Sequence, residues 1–173
     1  MIAISEIQVT VTNAQRALPI SAARVKRLMQ CAIRTLRIRA PGTFAITFIS
    51  DRRMRTLNKR FLRHDRPTDV LSFRYDTAEG PRPKAGPPAS GLRPTVGEIL
   101  IAPAMARTYA REHGIAYTEE LSRYVVHGLL HWLGHDDRTP SQQRKMRARE
   151  DRILAQCATE SSMTKSQSSN NHQ

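Results

Sequence analysis

Cysteine, acidic residues and long apolar runs are what this chain lacks, and each shortage closes off a class of protein. Cys31 and Cys157 are its two cysteines. They lie far apart and in no ligand or redox spacing, so neither a disulfide framework nor a cysteine metal site is expected, only buried or free thiols. No stretch approaches the ~18 apolar residues that a membrane span needs. The N-terminus has no secretory hydrophobic core, and the expectation is a cytoplasmic protein with no membrane partner. Acid is scarce as well: 15 Asp and Glu stand against 28 Lys and Arg, a formal charge of +13. Arginine dominates that excess, and its planar fork of donors suits phosphate. The balance therefore favours a nucleic-acid partner over solubility alone, or over an arginine-favouring genome.

What remains is one globular unit with 39% hydrophobic residues over 173 positions, enough for a real core. Residues 3–10 read as a first strand. Ser21 then caps a helix in which Val25, Leu28, Met29, Ala32, Ile33 and Leu36 share one face. The other face is basic, with seven cations and no acid from Arg16 to Arg39. Phe44, Ile46 and Phe48 alternate through a second strand. A short helix is expected over 51–62, a third strand over 69–75 and a fourth over 97–102. Between the last two, 76–95 is rich in proline and glycine and reads as a flexible insertion. A helix from Pro103 stops at Gly114, and Thr118 is expected to cap the next. Thr139, Pro140 and Gln142 form a capping box that opens a last helix to about Cys157. The polar remainder, 158–173, is expected to be a disordered tail behind a single domain over 1–157. The layout is α+β: a small mixed sheet of about four strands packed with about five helices.

The chemistry concentrates in residues 127–137. His127 and His131 are four apart on a helix that is apolar nearly all round, which puts both imidazoles on one face within reach of one ion. Two unpartnered imidazoles would be costly to bury, so a metal is their natural partner. Gly134 can end the helix, and an acid beyond it can fold back as a third ligand, leaving the fourth position open as in catalytic zinc sites. Asp137 is favoured for that place. His135 is the alternative, and Asp136 is a candidate to hold an imidazole N–H from behind. A His2Asp set suits one Zn²⁺ per chain, with another divalent transition metal such as Mn²⁺ or Fe²⁺ possible. Gly128 stands where peptidases of the H-E-x-x-H type carry their glutamate. That leaves a Lewis acid without a protein base, which fits a phosphodiester better than a peptide.

Three stretches then resemble one family. Leu57–Phe73 is similar to the LNxxYRGKDxPTDVLSF signature of the YbeY endoribonucleases, Gly97–Ile101 to their GDIxI strand, and His127–Asp137 to their HGxLHLxGYDH motif. The resemblance implies a small mixed sheet with helices around it. It also implies a single-strand-specific, metal-dependent endoribonuclease acting in rRNA maturation, at the 3′ end of 16S rRNA, and in ribosome quality control. Its implied partners are rRNA and the small ribosomal subunit or its assembly factors. The family's metal is held by three histidines; two map onto His127 and His131, and the third onto Asp137, a departure that touches both activity and metal identity. The family's functional arginine aligns with Leu62, and Arg63 stands at the adjacent glycine position. Arg63 is the candidate to take its catalytic role beside His127 and His131, with Arg60 and Arg66 as further phosphate contacts. Within Pro67–Phe73, Val70, Leu71 and Phe73 read as strand formers, and Thr68 and Asp69 as turn chemistry. A non-catalytic RNA-binding assembly factor with a structural metal is the competing reading. A metallopeptidase is disfavoured by Gly128 and by the charge.

Overall fold

Alternation decides which face of the sheet is covered. Phe44, Ile46 and Phe48 are all but fully buried, while the residues between them are less so. In the computed structural model, which describes residues 7–75 and 94–169, the elements follow the order expected of an α+β fold. They are β1 (Ile7–Asn13), α1 (Ala22–Thr35), β2 (Gly42–Phe48), α2 (Asp51–Leu62), β3 (Val70–Arg74), β4 (Thr95–Ile101), α3 (Pro103–His113), α4 (Tyr117–Trp132) and α5 (Pro140–Ser169). The strands form one sheet in the order β1-β2-β4-β3. β2 runs parallel to β1 and β4, and β3 is antiparallel to β4, pairing Val70 with Ile101 and Arg74 with Gly97. β3 is thus an edge strand among the described residues.

One face carries the main core. Val9, Phe44, Ile46, Ile99 and Ile101 meet Met29 of α1 and Val125 and Leu129 of α4 there. The other face is covered in part by α2, whose Met54 packs with Ile49, Leu71 and Leu100. α5 joins the main core through Met146, Ile153 and Cys157, a helical stripe in which Glu150 is also buried. No helix among the described residues is long and apolar enough to cross a membrane.

Several expectations are corrected. The last helix runs to Ser169, well past Cys157, and includes most of the segment expected to be disordered. Nothing from Ser141 onward is proline or glycine; polar composition signals a missing apolar partner, not a broken helix. Thr118 does not cap α4. Ala116 is the N-cap, without a side-chain bond, because Tyr117 packs against the core and joins the first turn. Cys31 and Cys157 are buried, as expected, but joined as a disulfide across a sequence separation of 126. Linear spacing carries no trace of a pairing created by α5 lying against α1. Of the proline- and glycine-rich stretch 76–95, Pro94 precedes β4 and Thr95 opens it; the rest lies outside the described residues, as do residues 3–6 of the expected first strand.

Close approach of α4 to the sheet depends on Gly128. A Cβ there would stand 2.8 Å from Val70 Cγ1 and 3.1 Å from Ile99 Cγ2, and the Ser72 hydroxyl donates to the Gly128 carbonyl at 2.8 Å. The position of the missing glutamate therefore faces packed strands, not a solvated site. Gly128→Glu is expected to lose at least about 3 kcal/mol, through overpacking and an uncompensated buried charge, read as a lower urea midpoint. A variant as stable as the parent would show that this Cα does not face the sheet.

Candidate metal centre

Helix α4 delivers two imidazoles to one point one turn apart, and the helix end brings the carboxylate to them. Leu133 closes the helix, and Gly134 follows at φ +90°, a left-handed conformation that glycine adopts without strain. The His135 amide then bonds back to the Leu130 carbonyl at 3.0 Å and the Gly134 amide to His131 at 2.9 Å. This reversal returns Asp137 to the histidines. Its Oδ2 lies 3.7 Å from His127 Nε2 and its Oδ1 3.7 Å from His131 Nε2. One ligand atom from each of His127, His131 and Asp137 falls within 4.8 Å of the others.

The donor chemistry of this cluster fits a cation. His127 Nδ1 lies 2.8 Å from Glu150 Oε1 and His131 Nδ1 lies 2.9 Å from the His135 carbonyl. Both partners only accept, so both Nδ1 atoms carry the protons. In the neutral rings both Nε2 atoms are then bare lone pairs, yet they stand 2.9 Å apart. Two acceptors at that distance need a positive charge between or beside them, a proton or a metal ion. The field favours one. Burial alone would lower the His127 pKa, but the hydrogen bond to Glu150 and the charges of Asp69, Glu150 and Asp137 outweigh it and raise it. Glu150 is 4% exposed. Burial would raise its carboxyl, but bonds and charge from His127 and Arg123 bring it below the ordinary range. Arg123 donates to Glu150 at 3.1 Å and to Asp151 at 2.7 Å, so the carboxylate that orients His127 is itself held on its other side.

His135 and Asp136 face elsewhere. His135 Nδ1 accepts from Arg149 at 2.7 Å; burial, then Arg149 and His131, push its pKa down, and its ring is no part of the cluster. Asp136 holds no imidazole, as was expected of it. Its carboxylate accepts the Asp137 amide at 2.9 Å and pairs with Arg138 at 3.1 Å, fixing the turn that carries Asp137. Asp69 is both turn and site: Oδ1 accepts the Thr68 hydroxyl at 3.0 Å and the Val70 amide at 2.9 Å, while Oδ2 lies 3.9 Å from His127 Nε2. Beside His127 opens a cleft of about 320 Å³ between α3 and α5, with Asp69, Tyr109, Tyr124 and Met146 in its walls.

Arg63 is the C-cap of α2 at φ +60°, a left-handed conformation that ordinarily favours glycine. Asn58 pins the loop that follows, its Nδ2 donating to the Arg66 carbonyl at 2.7 Å. Arg60 lies 5.8 Å from the centre of the Phe61 ring. Sequence reading missed Glu150 and Arg123. A usable signal was present for the first, since Glu150 interrupts the apolar series Met146, Ile153 and Cys157 at helical spacing.

The chain is similar to proteins that share one family description. The family model described as "Endoribonuclease YbeY" matches residues 10–158. A relative of that name from Myxococcus xanthus is 38% identical over 112 residues, 65% of this chain and 35% of the relative, so the chain spans about a third of that protein's length. One from Chlamydia abortus is 32% identical over 153 residues, 86% of this chain and 89% of the relative. The solution structure of TM1509 from Thermotoga maritima is similar in fold at TM-score 0.54 and 20% identity, covering 96% of this chain and 99% of that one.

Two outcomes follow for metal content. Asp137→Ala should lose far more bound metal than His135→Ala in elemental analysis; the reverse order would move the third ligand to His135. Glu150→Gln keeps the shape but removes the charge behind His127, and should weaken metal affinity about 10-fold or more in competition with a chelating dye. An unchanged affinity would mean that Glu150 serves only the packing of α5.

Proposed function

Because the chain belongs to the YbeY endoribonuclease family, we propose that it is a metal-dependent endoribonuclease that cuts single-stranded RNA. Its target on this reading is ribosomal RNA in the cytoplasm, notably the 3′ end of 16S rRNA, with a part in ribosome quality control. Its partners are the small ribosomal subunit or that subunit's assembly factors. The observation that carries the reading is the cluster of His127, His131 and Asp137, with both Nδ1 atoms occupied and both Nε2 atoms facing one point. These three residues would hold one divalent cation, and zinc suits the donors. Bound there, such an ion supplies Lewis acidity toward a phosphodiester and toward a water or hydroxyl.

The chain's own groups do the rest. Glu150 and the His135 carbonyl hold the two rings in a fixed tautomer and orientation. Asp69 presents Oδ2, left over from its turn, at the edge of the cluster, where it can take the proton of an attacking hydroxyl. Arg60, Arg63 and Arg66 bring cations to the end of α2 and the loop toward Asp69, and supply contacts for the phosphates of the strand. Of these, Arg63 is proposed as the one that meets charge developing on the scissile phosphate. The site is acidic within a strongly basic chain. The basic surface draws in the polyanion, and the acids hold a cation.

Purified protein incubated with single-stranded RNA should cleave it, lose that activity to a chelator and recover it with zinc. His131→Ala, shown folded by circular dichroism, should cleave at least about 100-fold more slowly, since loss of even a ligand's outer partner can cost that much. Cleavage by this variant at the parent's rate would sink the metal-centred mechanism and leave the RNA-binding assembly factor as the better reading.

A further inference from the structure

The face of the sheet away from the main core carries an apolar surface that the metal centre does not use. The large hydrophobic residues exposed among those described are Phe61, Leu62 and Tyr75, at 53%, 53% and 41%. All three lie at the end of α2 or of β3. Phe61 and Tyr75 line one cleft of about 400 Å³ with Phe73, Leu57 and Leu100. The rings of Phe61 and Phe73 meet edge-on, 5.2 Å between centres. Scattered single apolar residues on a surface need no explanation, but these are gathered in one place.

Charge distinguishes what could sit there. Arg53 lines the cleft, and the Arg60 guanidinium lies over Phe61. Arg55 and Lys59 are both taken by Asp65 at 2.8 and 3.1 Å. Arg53, Arg60, Arg63 and Arg66 have no carboxylate partner among the described residues. Glu98 is the one acid in the cleft wall, and its oxygens are met by the Tyr75 hydroxyl at 3.2 Å and the Thr47 hydroxyl at 3.5 Å, which steadies the tyrosine ring. Open aromatic rings bordered by unpaired arginines are the composition that binds single-stranded nucleic acid, where bases stack and phosphates follow the cations. A duplex keeps its bases stacked inside and offers such rings nothing.

The chain itself links this cleft to the candidate centre. From Phe61 the chain passes Arg63 and Arg66 to Asp69, whose Oδ2 is 3.9 Å from His127. Phe73 lies four residues further along β3, roughly 14 Å from Asp69 at strand spacing. We propose that this cleft is a base-stacking subsite for the RNA: one or two unpaired nucleobases lie on Phe61 and Tyr75, and Arg53 and Arg60 hold the neighbouring phosphates. The proposal rests on the RNA reading above and adds where the strand is gripped away from the point of cleavage. It makes the preference for single strands a property of this face rather than of the metal cluster.

Fluorescence anisotropy with the full chain, chelator present so that nothing is cut, tests it on three probes: a labelled oligoadenylate, an abasic strand with the same backbone, and a duplex. Phe61→Ala and Tyr75→Ala, both at exposed positions, should each weaken binding of the oligoadenylate by about 5-fold or more, the low end of what one stacked base contributes. Neither should alter binding of the abasic strand, which all the proteins should hold more weakly. Tyr75→Phe, which keeps the ring, should bind as the parent does. If both alanine variants hold the oligoadenylate as tightly as the parent, or the parent holds the abasic strand equally well, the subsite is refuted. Continued cleavage by the parent would then leave the endoribonuclease reading standing. A parent that neither binds nor cuts RNA overturns both.

Discussion

The hydrogen bond from His127 to the buried Glu150 carboxylate is the contact on which fold and site jointly depend. It crosses from α4 to α5 at a place where an apolar pair would ordinarily be found, between Met146 and Ile153. A carboxylate at that depth is tolerable only with its lone pairs engaged. Arg123 and His127 engage them, and Asp151 shares the arginine. The same three-way arrangement fixes the His127 ring and turns its free nitrogen toward His131 and Asp137. Packing of the last helix and aim of the first imidazole are therefore one problem with one solution. Removing His127 would leave Glu150 with Arg123 as its remaining partner, and removing Glu150 would leave the His127 Nδ1 without its acceptor.

That solution has a local electrostatic consequence. Asp69, Asp137 and Glu150 all act on His127, so a small region of the molecule is acidic although the chain as a whole carries +13. Global and local charge thus favour different guests, a polyanion outside and a cation within. Aspartate at 137 deepens this contrast, because it brings a third carboxylate charge to bear on His127. On the proposed metal reading, its oxygen is also a harder donor than an imidazole nitrogen and would make the site less exclusive for zinc.

Much of this was legible along the chain. The two histidines and the glycine that ends their helix are local features, and the reversal at Gly134 brings back the residue that the spacing favoured. The capping box at Thr139 is equally local and forms as read: the Thr139 amide donates to Gln142 and the Gln142 amide to the Thr139 hydroxyl, at 2.9 and 3.2 Å. Features that join distant segments were not legible. Cys31 and Cys157 meet because α5 lies along α1. Asp69, read as turn chemistry, also faces His127 because β3 is the edge strand nearest α4. Thr118 was misread for a related reason, since packing of Tyr117 outranks a side-chain cap when the first turn is chosen.

The amino-acid order by itself determined the elements, the α+β class, the excess of positive charge and the spacing that lets two imidazoles share a helix face. All of these follow from periodicity, capping and composition, which act over one or two turns. Only the tertiary structure decided which carboxylates surround those imidazoles, why Gly128 cannot be a glutamate, and that Phe61, Phe73 and Tyr75 border a single cleft. Those outcomes depend on which helix lies on which strand. That choice gives the buried Glu150 carboxylate its partners and fills the space between α4 and the sheet, and no single segment carries it.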